Sequence, residues 1–216
     1  MGVNLKRREI YISFRGSYTL INWLYNLYAV MTVIPWRRSC FGLRQPKVHE
    51  GFLLAYESVS EEVIMHVTSL LGEHPDFVVH VVGHSLGGAL ATICAMELNE
   101  SLSFAKKVKL SSYGAPRVGN DDFARLVEKH FPDPLDRLRV TNGNDIVPHV
   151  PPYFLEYHQS AQEIFIPPGS KKTSSAYACD PSSGEDPRCA AAHLGYSVDD
   201  HCYFPWGLNF CSPCET

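Results

Sequence analysis

FVVHVVGHSLGGALATICAMEL, residues 77–98, is the stretch of sequence that decides the fold. Its first part, FVVHVV, is an almost unbroken apolar run, which is typical of a strand buried on both faces of a parallel sheet. Its last part, ALATICAMEL, consists of small and apolar residues and predicts a helix over 89–98. The sharp GHSLGG turn between them therefore joins a buried strand to a helix.

Strands and helices also alternate on both sides of this unit. Apolar and β-branched runs predict strands over 9–14, 107–113, 138–141 and 163–166, and apolar periodicity predicts helices over 52–71 and 123–130. From Pro167 onwards we expect loop with at most a short helix. The alternation predicts one mainly parallel, three-layer α/β domain over residues 1–216, with a Cys-rich C-terminal loop region over about 167–216.

Composition excludes several classes of function. The chain has 216 residues and a net charge of −4, which gives no reason to expect nucleic-acid binding. No apolar stretch has the length that a membrane-spanning helix needs. Cys211 and Cys214 form a CxxC without a second such pair, so we expect no zinc site and no other metal or cofactor.

The seven cysteines favour an oxidising compartment. The N-terminus, MGVNLKRREIYISF, disagrees, since it lacks the apolar run of a secretory signal. Seven is an odd number, so at least one thiol is free, pairs between chains or has lost its partner. Five of the seven cysteines lie in the last 38 residues: Cys179, Cys189, Cys202, Cys211 and Cys214. Cys179 and Cys189 flank the acidic stretch DPSSGEDPR and could close a surface loop.

Gly83-His84-Ser85-Leu86-Gly87 is the candidate catalytic motif. A serine on a tight strand-to-helix turn points its hydroxyl out of the sheet, and only small residues fit two positions before and after it. The following helix directs backbone N–H groups and its positive dipole end towards a developing oxyanion. GxSxG alone is a weak signal, but its position between a buried strand and a helix makes Ser85 the predicted nucleophile.

A serine nucleophile needs a base and an orienting carboxylate, here in the chain order Ser, Asp, His. Asp145 is the best-placed acid, because it follows a predicted strand at its carboxyl end. The other acids considered lie in or near the intervening helix: Asp121, Asp122, Asp133 and Asp136. His149, His158, His193 and His201 are the candidate bases, and spacing favours His201 over His193 without deciding between them.

Six blocks of sequence resemble the fungal (class 3) triacylglycerol lipases, in the order of that family. They are SFRGS (13–17) with Asn22 and Trp23, KVHEGFLLAY (47–56), VVGHSLGGALA (81–91), YGAPRVGN (113–120), NDIVPHVPP (144–152) and DDHCYF (199–204). The resemblance implies an α/β-hydrolase fold and a Ser85, Asp145 and His201 triad. It also implies an oxyanion hole from Ser17 and Leu86, and a Cys179–Cys189 disulfide.

The same resemblance implies that residues 17–36, approximately, form a lid over the site. The 3–4 spacing of Leu20, Trp23, Leu24, Leu27 and Tyr28 predicts an amphipathic helix ended by Pro35, whose inner or lipid-facing side carries Trp23, Leu24, Leu27 and Tyr28. The alternative is a helix packed permanently on the domain.

The resemblance also implies a function. We expect a secreted carboxylic ester hydrolase, foremost a lipase on acylglycerols at a lipid–water interface. Feruloyl esterases and phospholipases of the same fold are the alternatives within the enzyme class, and a truncated or non-catalytic lipase-like protein is the alternative outside it. Because few residues precede Glu9, we expect the family's N-terminal helix and strands to be lacking, with Cys211 or Cys214 left without its usual partner.

Overall fold

The computed structural model describes residues 1–16, 29–36, 45–101, 108–170, 175–205 and 207–211. Its central sheet contains seven strands in the spatial order β1-β2-β5-β6-β8-β10-β11. They are β1 (Gly2–Asn4), β2 (Glu9–Phe14), β5 (Val78–His84), β6 (Val108–Tyr113), β8 (Arg137–Asn142), β10 (Glu163–Ile166) and β11 (Tyr177–Ala178).

The inner strands of this sheet are parallel. β2, β5, β6, β8 and β10 pair in parallel, and only the edge strands β1 and β11 are antiparallel to their neighbours. The carboxyl ends of β5, β6 and β8 therefore lie along one edge, which is where an open α/β sheet places its site. The prediction of a mainly parallel sheet is confirmed.

Four α-helices accompany the sheet in the described part of the chain. They are α1 (Glu50–Glu73), α2 (Leu86–Ser101), α3 (Asp121–His130) and the short α4 (Val198–Cys202). α2 contacts β2, β5 and β6, and α1 packs against α2. The small side chains of α2 permit a close approach to the sheet, and seven of its residues have no exposed surface: Ala89, Ala91, Ile93, Cys94, Ala95, Met96 and Leu98.

Several elements were absent from the predictions. A second, four-stranded sheet in the order β3-β4-β7-β9 joins β3 (Met31–Val33), β4 (Lys47–His49), β7 (Gly119–Asn120) and β9 (Tyr157–His158). The expectation of loop after Pro167 was wrong in part, because β11 and the hairpin β12 (Tyr203–Phe204) and β13 (Leu208–Asn209) lie there beside α4. These strands are two or three residues long, which is too short for an alternation pattern to register.

Most of the predicted lid lies outside the described residues. This applies to Trp23, Leu24, Leu27 and Tyr28. The described end of the segment forms β3, and Ile34 is 1% exposed. No described helix is both long and apolar enough to cross a membrane.

Candidate active site

Ser85 occupies the single position between the end of β5 and the first residue of α2. Its φ angle is +57°, in the left-handed region that residues other than glycine rarely adopt. Two main-chain hydrogen bonds hold the turn: Ser85 N–H donates to the Tyr113 carbonyl at 2.9 Å, and Gly88 N–H donates to the Ser85 carbonyl at 2.9 Å. Strain of this kind persists only where the surrounding structure imposes it, and it gathers at functional sites.

The glycines on either side of Ser85 are required by close approach of the main chain. A Cβ atom on Gly83 would overlap the Gly87 carbonyl, and one on Gly87 would overlap the carbonyl of Phe14 on β2. Both neighbours are backbone atoms, so neither can move aside as a flexible side chain would. The predicted steric reason for the GxSxG spacing is therefore visible in the turn.

Gly87→Ala is expected to lower the free energy of unfolding by about 3 kcal/mol or more, because the new methyl group meets fixed backbone. Gly72→Ala is the matched control. A Cβ at Gly72 meets nothing within 4 Å, and the residue lies in the last turn of α1. Alanine there should stabilise the protein by about 0.5–1 kcal/mol. Urea unfolding of both variants measures the difference, and equal effects would contradict this account of the turn.

Asp145 and His201 form a buried pair. His201 Nδ1 lies 2.8 Å from Asp145 Oδ2, and both side chains are at most 2% exposed. Asp145 follows β8 in a turn, and its Oδ1 accepts a hydrogen bond from Val147 N–H at 2.9 Å. A carboxylate accepts only, so Nδ1 carries a hydrogen, and in the uncharged form of the imidazole Nε2 is then the acceptor nitrogen. Among the four candidate bases, His201 is thus a histidine whose ring nitrogen lies within hydrogen-bond distance of Asp145.

A second set of hydrogen bonds holds the acid and base segments together. Asp200, next to His201, accepts a bond from Asn144 N–H through Oδ2 at 2.8 Å. The Asn142 amide donates to the main-chain oxygens of Asp200 at 2.8 Å and Tyr203 at 3.0 Å. Neither Asp200 nor Asn142 was predicted as a site residue. Their only sequence signal was adjacency, in DDH and NGND.

The sequence model of the Lipase (class 3) family matches residues 11–155. The chain belongs to the class 3 lipase family. It is 34% identical over 206 residues to a lipase of Rhizomucor miehei, covering 94% of this chain and 53% of the relative. It is 31% identical over 211 residues to the secreted mono- and diacylglycerol lipase 1 of Fusarium solani, covering 96% and 59%. The chain thus spans little more than half the length of these curated relatives.

Solved lipase structures share the fold. The lipase of Rhizopus microsporus var. chinensis superposes with a TM-score of 0.84 at 28% identity, covering 96% of this chain and 69% of that one. A triacylglycerol lipase described as having a serine protease triad as its catalytic centre superposes with a TM-score of 0.81 at 32% identity, covering 96% and 75%. The predicted resemblance to fungal class 3 lipases and the α/β-hydrolase fold are both confirmed.

The other candidate acids and bases have different surroundings. Asp121 pairs with Arg125 at 2.8 Å and Asp136 with Lys109 at 3.0 Å, both in partly or largely exposed positions. The His193 ring stacks on Phe165 with centroids 4.9 Å apart. Among the remaining candidates, Asp133 accepts a bond from Leu135 N–H, and His158 packs against Tyr153.

The hydroxyl of Ser85 is buried and makes no hydrogen bond to the residues that the structure describes. The bond from Ser85 Oγ to His201 Nε2 is therefore not formed in this state. In serine hydrolases that bond is often long in the free enzyme and tightens when substrate arrives. The structure thus brings Asp145 and His201 into contact, while the Ser85 hydroxyl makes no hydrogen bond to either of them.

The predicted oxyanion donors are described only in part. Leu86 is the first residue of α2, so its N–H has no acceptor within the helix. Ser17 lies outside the described residues. Its neighbour Gly16 is described, and a Cβ there would lie 3.1 Å from Ser85 Cβ and 3.1 Å from the His84 carbonyl. The chain leading to Ser17 therefore passes directly beside Ser85.

Two disulfides are present in the described residues. Cys179 and Cys189 are joined, as the resemblance implied, and Cys202 is joined to Cys211. Of the two cysteines expected to lack a partner, Cys211 has one, because the β12–β13 hairpin brings Cys202 to it. Cys94 is a buried thiol, while Cys214 and Cys40 lie outside the described residues. The carboxylate of Glu163 lies close to Cys179 and Cys189, but joined sulfurs do not offer thiolate ligands to a metal.

Arg117 stabilises the loop that follows Asp145 through hydrogen bonds and an ion pair. Its Nη1 donates to the main-chain oxygens of His149 and Pro151, and its Nε and Nη2 form a two-pronged pair with Glu185 at 2.7 and 2.8 Å. Burial alone would raise the pKa of the Glu185 carboxyl, but the hydrogen bonds and charge of Arg117 outweigh it and hold that pKa below its ordinary value of 4.5. The pair therefore contributes stability above about pH 4.5, which is lost as the pH falls through the lower folded value.

Glu185→Gln is expected to lower the free energy of unfolding by about 3 kcal/mol at neutral pH, because Arg117 stays buried without its countercharge. The difference from wild type should shrink below about pH 4.5, as Glu185 itself becomes protonated. Urea unfolding between pH 3 and 7 measures both effects. Asp121→Asn, which breaks the exposed pair with Arg125, is the control and should change stability by no more than about 0.5 kcal/mol. A difference that does not depend on pH would contradict the assignment.

Proposed function

We propose that this chain hydrolyses carboxylic esters, and acylglycerols in particular, with Ser85 as nucleophile, His201 as base and Asp145 as orienting acid. The observation that carries the proposal is the buried Asp145–His201 pair, 2.8 Å between Oδ2 and Nδ1, beside a serine on a strained strand-to-helix turn. Membership of the class 3 lipase family supports it. So do the relatives, among them the Fusarium solani protein whose name gives mono- and diacylglycerols as substrates.

The reaction begins with proton transfer from Ser85 Oγ to His201 Nε2 as Oγ attacks the ester carbonyl. Asp145 keeps the imidazole in the tautomer that leaves Nε2 free, and it stabilises the imidazolium that forms. The carbonyl oxygen becomes an oxyanion. It accepts a hydrogen bond from the Leu86 N–H and, in this proposal, hydrogen bonds from the N–H and the hydroxyl of Ser17. Each such donor is worth about 3 kcal/mol in the transition state.

Two half-reactions complete the cycle. His201 gives its proton to the leaving alcohol, and an acyl-enzyme ester remains on Ser85 Oγ. Water then attacks the acyl carbonyl as His201 removes its proton, and the second tetrahedral intermediate collapses to release the carboxylic acid while His201 returns the proton to Ser85 Oγ. Both halves use the same three side chains, and the chemistry of a carboxylic ester requires no metal or redox group.

Lipid is the proposed substrate phase. The amphipathic spacing of residues 19–28 supports a lid over the site within about residues 17–36, and a lid that exposes apolar surface opens most easily where lipid replaces water. The two disulfides and the secreted relative from Fusarium solani support an extracellular location. The Cys-rich segment after residue 167 is proposed to belong to one lipase domain over 1–216, since β11 is a strand of the central sheet and α4 carries His201.

Rates on tributyrin measured below and above its solubility limit test the proposal. We expect turnover that rises sharply once an emulsion forms, together with steady turnover of a dissolved p-nitrophenyl ester. A panel of methyl ferulate and a dispersed phospholipid tests the substrate class. Faster hydrolysis of either than of tributyrin would contradict the acylglycerol assignment, and absence of turnover on every ester would contradict the function itself.

A further inference from the structure

His84, the last residue of β5, directly precedes the predicted nucleophile Ser85, and its ring contacts that of the predicted base, His201. Its side chain is 7% exposed. Its Nε2 atom lies 2.8 Å from the main-chain oxygen of His201. A carbonyl oxygen only accepts, so Nε2 carries the hydrogen and donates it. The residue next to Ser85 in sequence thus holds the backbone from which the His201 imidazole projects.

The His84 ring also contacts neighbouring rings. It lies 4.4 Å from the His201 ring at an angle of 41°, and it stacks on Phe210 at 4.4 Å and 5°. Phe204 meets it edge-on at 6.3 Å. These contacts fix the position and the orientation of the His84 ring against the β12–β13 hairpin, which includes Phe204.

The disulfide Cys202–Cys211 closes this arrangement. Cys202 directly follows His201, and Cys211 directly follows Phe210. The chain of contacts therefore runs from His84 to His201, through the disulfide to Phe210, and back to His84 by ring stacking. The disulfide therefore links the backbone next to His201 covalently to the backbone next to Phe210, whose ring stacks on His84.

We propose that His84 is a positioning residue for His201, and that Phe210 and the Cys202–Cys211 disulfide keep His84 in place. His84 anchors the His201 backbone through its Nε2–H, so that the imidazole stays in line between Asp145 and Ser85 Oγ. This inference rests on the proposed function, because it assigns a role relative to the base of that reaction.

His84 does not compete for the catalytic proton. Burial, reinforced by repulsion from the neighbouring His201, lowers the pKa of His84 to about 3. Its ring therefore stays neutral over the pH range in which esters are hydrolysed, and it places no second positive charge beside the imidazolium that forms on His201. A neutral donor with a fixed tautomer is what a positioning role requires.

Two substitutions separate the hydrogen bond from the ring. His84→Phe keeps an aromatic ring against Phe210 and loses the donor, whereas His84→Gln loses the ring and keeps an amide N–H near the position of Nε2. We expect His84→Phe to lower kcat on a dissolved p-nitrophenyl ester about 10- to 100-fold with KM unchanged, as misplacement of a catalytic group does. His84→Gln should recover kcat to within about fivefold of wild type.

His80→Phe is the matched control on the same strand. His80 Nε2 also makes a 2.8 Å hydrogen bond, to Ser111 Oγ, and its ring also packs on an aromatic residue, Tyr11. It should leave kcat unchanged. Wild-type kcat in His84→Phe, or an equal loss in His84→Gln and His84→Phe, would overturn the positioning role.

Phe210→Leu keeps the test decisive if His84→Phe does not fold. It removes the ring that stacks on His84 without touching the hydrogen bond, and we expect kcat to fall about three- to tenfold with KM unchanged. Full activity in this variant would overturn the part assigned to Phe210, and thermal unfolding of each variant identifies those that fold.

If wild type itself hydrolyses no ester, the proposed function fails. If wild type is active and Ser85→Ala is not, while His84→Phe keeps full activity, only the positioning role fails.

Discussion

Ser85→Ala is expected to lower kcat for ester hydrolysis about 10⁶-fold, because the variant has no oxygen with which to form the acyl-enzyme. KM should change little, since the hydroxyl contributes to bond formation rather than to holding the substrate. Turnover of p-nitrophenyl butyrate by the purified variant, at concentrations high enough to exclude traces of wild type, measures the loss.

The fold should survive this substitution. The Ser85 hydroxyl is buried without a hydrogen-bond partner among the described residues, so its removal costs no existing bond. We expect the free energy of unfolding to stay the same or to rise slightly, as it does when an enzyme gives up a strained functional group. Ser112→Ala, at a buried serine on β6, is the control and should retain activity. Residual activity above a thousandth of wild type would contradict the nucleophile assignment.

Asp145→Asn is expected to lower kcat about 10⁴-fold with only a small effect on the fold. The carboxamide still has an oxygen for Val147 N–H, which donates to Asp145 Oδ1 at 2.9 Å. It cannot keep the hydrogen on His201 Nδ1 or balance the charge of the imidazolium, so Nε2 no longer accepts the Ser85 proton efficiently. Stopped-flow or steady-state rates on the same ester, across pH 5 to 9, measure the effect.

Asp136→Asn is the control for Asp145→Asn. Asp136 pairs with Lys109 at 3.0 Å in a partly exposed position and contacts no residue of the proposed triad that the structure describes. Its variant should keep wild-type kcat. A loss of similar size in both variants, or a loss below about tenfold in Asp145→Asn, would contradict the role of Asp145.

The sequence predicted the elements that carry long, uniform patterns. The apolar run of β5, the small residues of α2 and the GxSxG between them specify the strand, the helix and the turn, because burial on both faces and close backbone approach leave few alternatives. Helix α1 was predicted within two residues at each end. The position of Asp145 followed from its place after a strand, since parallel strands bring their carboxyl ends to one edge.

Long-range pairing was beyond the sequence. Spacing could not decide between His201 and His193, because both lie late in the chain, in segments whose path depends on tertiary contacts. The structure separates them by what each ring meets: Asp145 for His201, and Phe165 for His193. The Cys202–Cys211 disulfide was not predicted for the same reason. No pattern in the local sequence indicates that the two short strands β12 and β13 form a hairpin, which brings Cys211 back to Cys202 at the end of α4.

Residues that act through the backbone were also invisible. Asp200 and Asn142 join the acid and base loops through main-chain hydrogen bonds, and His84 reaches the main-chain oxygen of His201 across 117 positions of sequence. Their residue types are common on protein surfaces and carry no pattern by themselves. Only the fold gives them partners.

The measurement that tests the central claim most directly is covalent labelling with an organophosphate such as diethyl p-nitrophenyl phosphate, followed by peptide mass spectrometry. Phosphorylation of a serine requires both an activated hydroxyl and a base that removes its proton. We predict one equivalent of label on the peptide that contains Ser85, parallel loss of esterase activity, and at least hundredfold slower labelling in Asp145→Asn. Stoichiometric label on another residue, or full esterase activity with Ser85 labelled, would contradict the account.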